Sequence, residues 1–475
     1  MTLDRRTRWL ALYVLCLGDL MIVLDATIVN VALPAIRTDL GFSQASLAWV
    51  VNAYLLTFGG FLLLGGRLGD LYGHRRLFLA GIGVFTAASL VCGLSTSQGM
   101  LVAARAVQGF GGAVVSAVAL SLLLTLFPDT AERTKAMGFF GFVMAGGGSV
   151  GVLLGGVLTD LLSWHWIFLV NIPIGIAVFI LCLALIPEGR GHALTGRLDV
   201  AGAVTVTGAL MLAVYAIVNG NQAGWLSAQT LGLLAAAVVL LGVFLVLESR
   251  VAAPLVPLRL FEHRNLAVSN VVGILWSAGM FAWFFFAAQY LSFALGYDEL
   301  QVGLAFLPAN LIMGAFSLGL SARIVMRYGT RLPIGVGMTL VAIGLALFAR
   351  APVGGSFLVD VLPAMVVLGI GVGMAMNPVL MAAMSDVDQT EAGLASGVVN
   401  TAFMMGGALG LAVLASLAAW KTGGSTAVDA LAGGYHLAFT VGVVFAALAA
   451  VVATVFLRDH RVEPQLEAEA AAALE

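Results

Sequence analysis

Gly66-Arg67-Leu68-Gly69-Asp70-Leu71-Tyr72-Gly73-His74-Arg75-Arg76 is a short, basic, glycine-punctuated stretch between two apolar runs, the second resuming at Leu77. Each run is long enough to cross a bilayer, so the stretch reads as a loop at a membrane surface. The composition around it supports that reading. Of 475 residues, 61% are hydrophobic and 10% charged, and the mean hydropathy is +1.06, far from soluble-domain averages. Lipid cannot satisfy backbone polar groups, which leaves helices or a closed barrel, and apolar runs of about 20 residues without two-residue alternation select helices. The fold class is all-α, in a polytopic membrane protein.

Charged and turn-rich punctuation divides the chain into fourteen expected spans. They begin near Trp9, Leu47, Leu77, Leu101, Ala136, Trp166, Leu198, Ser227, Leu266, Val302, Leu332, Leu358, Gly393 and Tyr435. The basic start Arg5, Arg6, Arg8 leads into a run reaching Pro34, too long for a cleavable signal segment. With the N-terminus inside, only Arg37, Arg350 and Lys421 of the 22 Lys and Arg residues face out and Arg105 lies within a span; the other 18 face in. Both termini are therefore expected on the cytoplasmic side of the cell membrane. Cys16, Cys92 and Cys182 fall in apolar spans and read as buried small hydrophobes, and no metal site is expected.

The chain also repeats itself. A shift of 256 lays Arg67 on Arg323, Tyr72 on Tyr328, Gly73 on Gly329 and Arg75 on Arg331, and a shift of 255 lays Gly41-Phe42 on Gly296-Tyr297. Two six-span units in parallel, with two extra spans between them, give a 6 + 2 + 6 plan around a central cavity. The expected divisions are a bundle over 1–187, two linker spans over 188–253, a second bundle over 254–457 and a cytoplasmic tail over 458–475. The linker spans hold few ionisable groups and read as lipid-facing. The second copy of the loop has Met326 where the first has Asp70.

These residues resemble the major facilitator superfamily, in its fourteen-span drug:proton antiporter branch of the EmrB/QacA type. The resemblance rests on the loop from Gly66 and on Leu24-Asp25-Ala26-Thr27-Ile28-Val29-Asn30 through Pro34. It rests also on Arg105-Ala106-Val107-Gln108-Gly109, on Trp166-Ile167-Phe168 through Asn171 and Gly175, and on Gly393 through Gly397 and Asn400. The fifth span carries the family's glycine pattern as Gly138, Gly147, Gly151, Gly155 and Gly156, with Val152 where the family has proline and His165 where it more often has arginine. Such small-residue spacing lets another helix approach closely, and in the family that contact is thought to seal the membrane. The resemblance implies proton-coupled efflux of drug-like or antibiotic amphiphiles, with no enzymatic activity, no cofactor beyond the proton gradient, no nucleic-acid partner and a monomeric state. A proton-coupled importer of a small solute, or a lipid-moving membrane protein, would be the other classes.

Ionisable groups inside the bilayer cost at least about 2.5 kcal/mol each on insertion scales and persist mainly for function or pairing. Asp19, Asp25 and Arg105 are the proton-coupling candidates. Six residues at about 100° set Asp19 and Asp25 roughly 120° apart, so they face different neighbours. Asp25 is expected to pair with Arg105, and Asp19 to line the cavity with Asn30. Desolvation favours a neutral carboxyl and a nearby guanidinium a charged one, so a carboxyl's proton affinity can switch as the halves rock. The family's cavity-lining spans make Asn30, Gln108, Trp276, Trp283, Phe284, Gln289 and Asn377 candidate wall residues. With no acid midway through spans nine to fourteen, neutral, zwitterionic or monocationic substrates are expected.

In the basic loop, Gly66 and Gly73 permit close approach and a tight turn, Asp70 accepts hydrogen bonds, and Arg75 and Arg76 anchor the loop, which the family uses as a cytoplasmic gate. Asp70→Asn is expected to impair transport while leaving membrane insertion intact. Normal transport by a well-expressed variant would remove the carboxylate from the gate.

Overall fold

In the computed structural model the described residues are 4–127, 129–187, 199–251, 254–316, 320–387 and 391–458. The expected tail beyond Arg458 and most of the link between the first bundle and the extra spans lie outside them, as does the side chain of Asp70. Among the described residues there is no strand. A first bundle comprises α1 (Arg5–Leu40), α2 (Gln44–Tyr72), α3 (His74–Gly93), α4 (Gln98–Leu126), α5 (Thr130–Leu161), the short α6 (Trp166–Leu169) and α7 (Asn171–Leu185). Two helices follow, α8 (Val200–Ala223) and α9 (Ala228–Arg250). The second bundle comprises α10 (Arg264–Phe293), α11 (Glu299–Ala315), α12 (Ser321–Tyr328), α13 (Arg331–Phe348), α14 (Leu362–Met384), α15 (Ala392–Thr422) and α16 (Val428–Phe456).

Among the described residues, 12 helical stretches are long and apolar enough to cross a membrane, counting α6 with α7 as one. The stretches Val150–Leu161 and Glu299–Ala315, in the fifth and tenth expected spans, are apolar and shorter among the described residues.

The duplication is written into the helix ends. Ser43 and Ser46 form a capping box at the start of α2, satisfying the first free N–H groups. Asp298 and Gln301, 255 residues further on, form the equivalent box at the start of α11. The turns before them use Gly41 (φ 67°) and Gly296 (φ 71°), and the matching basic turns use Gly73 (φ 95°) and Gly329 (φ 73°), all in a region that disfavours a Cβ. The packing repeats as well. In the first bundle α1 lies on α5 while α2 and α3 lie on α4; in the second α10 lies on α15 while α11 and α13 lie on α14.

Two reciprocal seams join the bundles, α2 against α15 and α5 against α11, with α1 also touching α10. The reciprocity is what a two-fold relation between duplicated bundles produces. The extra helices depart from the lipid-facing expectation. Although α9 packs on α8 and presents an apolar, exposed outer surface, α8 itself lies against both α2 and α15. Its inner face is small (Gly202, Ala203, Ala209), and Thr207 sits directly on Gly60 of α2, where a Cβ would collide with it.

The glycine pattern in α5 serves two contacts. Gly147 faces Leu20 and Val23 of α1, Gly151 lies against Leu24 and Thr27, and Gly155 meets the backbone of Ile28. Gly156 instead faces the other bundle: a Cβ there would lie 2.6 Å from the Glu299 carbonyl oxygen and 3.1 Å from the Leu300 Cα. Gly303 of α11 answers it, close to the Val152 carbonyl. With valine rather than proline at 152, α5 runs unbroken to Leu161. Gly156→Ala is expected to wedge the seam at a cost on the order of 1–3 kcal/mol. Its readout is proton leak in liposomes, with Gly148→Ala as control, since a Cβ at Gly148 meets nothing closer than Thr27 at 3.9 Å.

Candidate functional site

Asp25 of α1 and Arg105 of α4 form a fully buried ion pair, at 0% and 1% exposure. Both Asp25 oxygens are engaged: Oδ2 accepts from Arg105 Nη1, and Oδ1 accepts from Gln108 Nε2 (2.7 Å) and Asn171 Nδ2 (3.0 Å). Arg105 donates also to Gln108 Oε1 (2.6 Å) and, through Nε, to the Val50 carbonyl (3.0 Å). Gln108 donates further to Ser89 Oγ (2.8 Å). The guanidinium lies 4.3 Å from the Tyr54 ring centroid and 5.6 Å from that of Phe168, a cation–π sandwich in a desolvated setting.

Every helix bordering this cluster contributes for a local reason. Arg105 and Gln108 are three residues apart and share one face of α4. Asn171 opens α7 immediately after the break that follows α6. Ser89 and Val50 arrive from α3 and α2. The expected Asp25–Arg105 pairing is present, and Gln108, expected on the cavity wall, sits inside the cluster. Ser89, Asn171 and Tyr54 were given no role by the sequence; the nearest signal was Asn171, within the quoted Trp166–Gly175 motif.

Asp19 has a different environment. It is 1% exposed, its Oδ1 accepts from Ser116 Oγ of α4 (2.7 Å), and its Oδ2 has no hydrogen-bond partner. Among the described residues it forms no ion pair. Asn30 does not join it; its amide donates back to the Ala26 and Thr27 carbonyls, both at 3.3 Å.

The second-bundle candidates separate into two groups. Trp276 packs on Phe403 (5.1 Å between centroids), and Trp283 is enclosed by Phe284, Phe306 and Phe348. Trp276 Nε1, Trp283 Nε1 and Gln289 Oε1 are buried without a hydrogen-bond partner. Phe284 and Asn377 are half-buried. In the basic turn Arg75 Nη2 donates to the Leu183 carbonyl (2.8 Å), which closes the end of α7 within the same bundle. Gly66 is open to its surroundings, Gly69 packs on Val118 and His74, and Arg76 has an interaction of its own.

A family model described as Major Facilitator Superfamily matches residues 15–411. The chain belongs to that superfamily. It is similar to the puromycin resistance protein pur8 of Streptomyces alboniger, at 39% identity over 96% of this chain and 92% of that protein. It is similar also to the cephamycin export protein CmcT of Amycolatopsis lactamdurans, at 39% identity over 94% and 91%. Among solved structures, the POT family transporter PepTSo aligns with a TM-score of 0.69 at 15% identity, covering 95% of this chain and 97% of that one, a likeness of fold. The chain is thus a multi-pass membrane transporter of small molecules and not an enzyme.

For this superfamily member, cutting the buried pair has a defined consequence. Arg105→Ala leaves Asp25 uncompensated in a dry site and is expected to cost about 3–5 kcal/mol, read as a lowered Tm of the purified protein. Arg105→Lys should not restore it, because one ammonium cannot replace the planar fork that serves Asp25, Gln108 and the Val50 carbonyl together.

Proposed function

We propose that this transporter exports drug-like or antibiotic amphiphiles across the cytoplasmic membrane in exchange for protons. The bundles over 1–187 and 254–457 alternate access to a cavity between them, with 188–253 as linker, both termini cytoplasmic and the chain acting as a monomer. The names of the full-length relatives, which speak of resistance and export, support this direction.

The observation that carries the coupling is the contrast between the two carboxyls. Asp25 is held by three side-chain donors, one of them a guanidinium, and both its oxygens are occupied. Asp19 has a single hydroxyl donor and one free oxygen. A proton arriving at Asp25 meets oxygens that both already accept hydrogen bonds, one of them from a guanidinium, whereas one arriving at Asp19 finds an oxygen with no donor. We assign Asp19 as the exchanging group and Asp25–Arg105 as the fixed charge pair that holds α1 and α4 in register around it. A protonated Asp19 enters the low-dielectric closed state without a bare charge, and an ionised one favours the state in which water reaches it.

The second-bundle candidates are aromatic, with a few polar atoms that the protein leaves unpaired, and a wall built from them would suit apolar ligands oriented by few hydrogen bonds. Neutral, zwitterionic and monocationic amphiphiles fit this wall.

Expression in a pump-deficient host should raise resistance to such compounds, and an uncoupler should abolish the gain. Substrate accumulation by energised cells would reverse the direction. In proteoliposomes, Asp19→Asn is expected to eliminate drug-driven proton movement while retaining drug binding; unchanged proton movement would remove Asp19 from coupling. Asp25→Asn should chiefly lower folded yield.

A further inference from the structure

A second pair of carboxyls lies far from α1, where the extra helices meet the bundles. Asp199 caps the start of α8: its Oδ1 accepts from the Gly202 amide (2.7 Å). Glu248 lies near the end of α9, and its Oε2 accepts from the Val256 amide (3.0 Å). Both side chains are more than nine-tenths buried, at 5% and 3% exposure. The remaining oxygen of each, Asp199 Oδ2 and Glu248 Oε1, has no hydrogen-bond donor.

Those two oxygens converge. A Cβ placed on Gly202 would lie 2.5 Å from Asp199 Oδ2 and 2.9 Å from Glu248 Oε1, so both look into the space that this glycine leaves open. Both oxygens lie within 2.9 Å of that one point, so the two carboxyls face each other across it. The described charged groups on the packed elements are Arg67 of α2, Arg250 of α9, Arg259 and Glu262 of the turn Leu258–Glu262, and Glu391 and Lys421 at the two ends of α15. Neither Arg67 nor Arg250 makes an ion pair with either carboxyl, and Arg259 pairs with Glu391 instead (2.6 Å). Two facing acceptors with no donor between them are satisfied by one hydrogen: the O–H of one carboxyl donates to the other carboxylate. Two carboxylates also supply too few oxygens to replace the shell of a hard divalent cation.

We propose that Asp199 and Glu248 form a second proton-holding site, in which one shared proton closes the junction between the α8–α9 hairpin and the entrance to the second bundle. The junction is built for that purpose. Glu248 grips the Val256 amide, and the adjoining Leu255 packs with Leu64 of α2 and Ala203 of α8, bordered by Phe61, Leu63 and Leu68. The proton comes from water and returns to it. Its loss places two like charges face to face in a buried site, so the junction is held at lower pH and loosens as pH rises. This site shares no residue with the Asp19 and Asp25 environments and stands independently of the export reading.

The test is a pH titration of the purified full-length protein by infrared difference spectroscopy, with hydrogen exchange of 254–262 measured in parallel. Wild type should show a protonated-carboxyl band at neutral pH that disappears at alkaline pH, where exchange of 254–262 accelerates severalfold. Asp199→Asn and Glu248→Gln each retain the cap or the Val256 contact and supply a permanent N–H. Each alone should remove that band and leave exchange independent of pH, with the bands of Asp19 and Asp25 unaffected. A band that persists in both variants, or is absent from wild type, overturns the proposal. Should neither variant fold, wild-type exchange that stays constant across the titration overturns it as well.

Discussion

A guanidinium and a carboxylate buried together in a membrane protein impose a condition on everything around them. Neither can reach water, so every donor of Arg105 and every lone pair of Asp25 has to find its partner in the protein. Here the solution draws on α1, α2, α3, α4 and α7 for hydrogen bonds and on α2 and α6 for aromatic faces. Removing α2, α4 or α7 would leave a charged group short of a hydrogen-bond partner. The cluster therefore ties these helices to one another, because bending the bundle at this level would expose a buried ion pair.

The second bundle follows the same connectivity with the opposite chemistry. At the position 256 residues beyond Asp25 stands Phe281, which packs on Phe403 at 5.7 Å. Elsewhere in the bundle Trp283, Phe284, Phe306 and Phe348 form an interlocked aromatic group. Ring contacts depend on distance and tilt less strictly than a charged network depends on its donors, and they tolerate repacking. Duplication thus supplied two scaffolds of like connectivity, of which one holds a buried ion pair and the other an aromatic cluster. The basic turns diverge in parallel, since Asp70 has Met326 as its counterpart, 64% exposed.

Much of this was legible in the chain because it follows from local chemistry. The paired glycines at 41 and 296 and at 73 and 329 announce turns that need positive φ, and Ser43 and Asp298 announce helix starts. The Asp25–Arg105 pair was legible because two opposite charges at similar membrane depth have few alternatives. Ser116 was not, since helical periodicity states which residues share a face but not which neighbouring helix that face meets. Gln108 shows the same limit: its spacing from Arg105 put it on the same side of α4, and only tertiary packing shows that this side points into the bundle. The role of α8 was hidden for a related reason. An apolar helix with small residues reads alike whether it faces lipid or fills a seam.

That seam gives α8 a mechanical position. Gly59 and Gly60 are adjacent on α2, so they point about 100° apart around the helix. Gly59 faces Thr401 and Met404 of α15, and Gly60 faces Thr207 of α8. α2 therefore meets the opposite bundle and the linker through neighbouring glycines, and α8 completes the triangle by touching α15 itself. At the far end of α8, Asn221 donates to the Ser416 carbonyl of α15 (2.6 Å), fixing the linker to the second bundle. Any rotation of one bundle against the other has to slide one of these glycine contacts while the Asn221 anchor is kept. Of the two, the contact at Gly60 is the closer and is made by a χ1-stiff threonine, whereas Gly59 meets a flexible methionine, so α8 is wedged tightly against α2 while it is tied to α15.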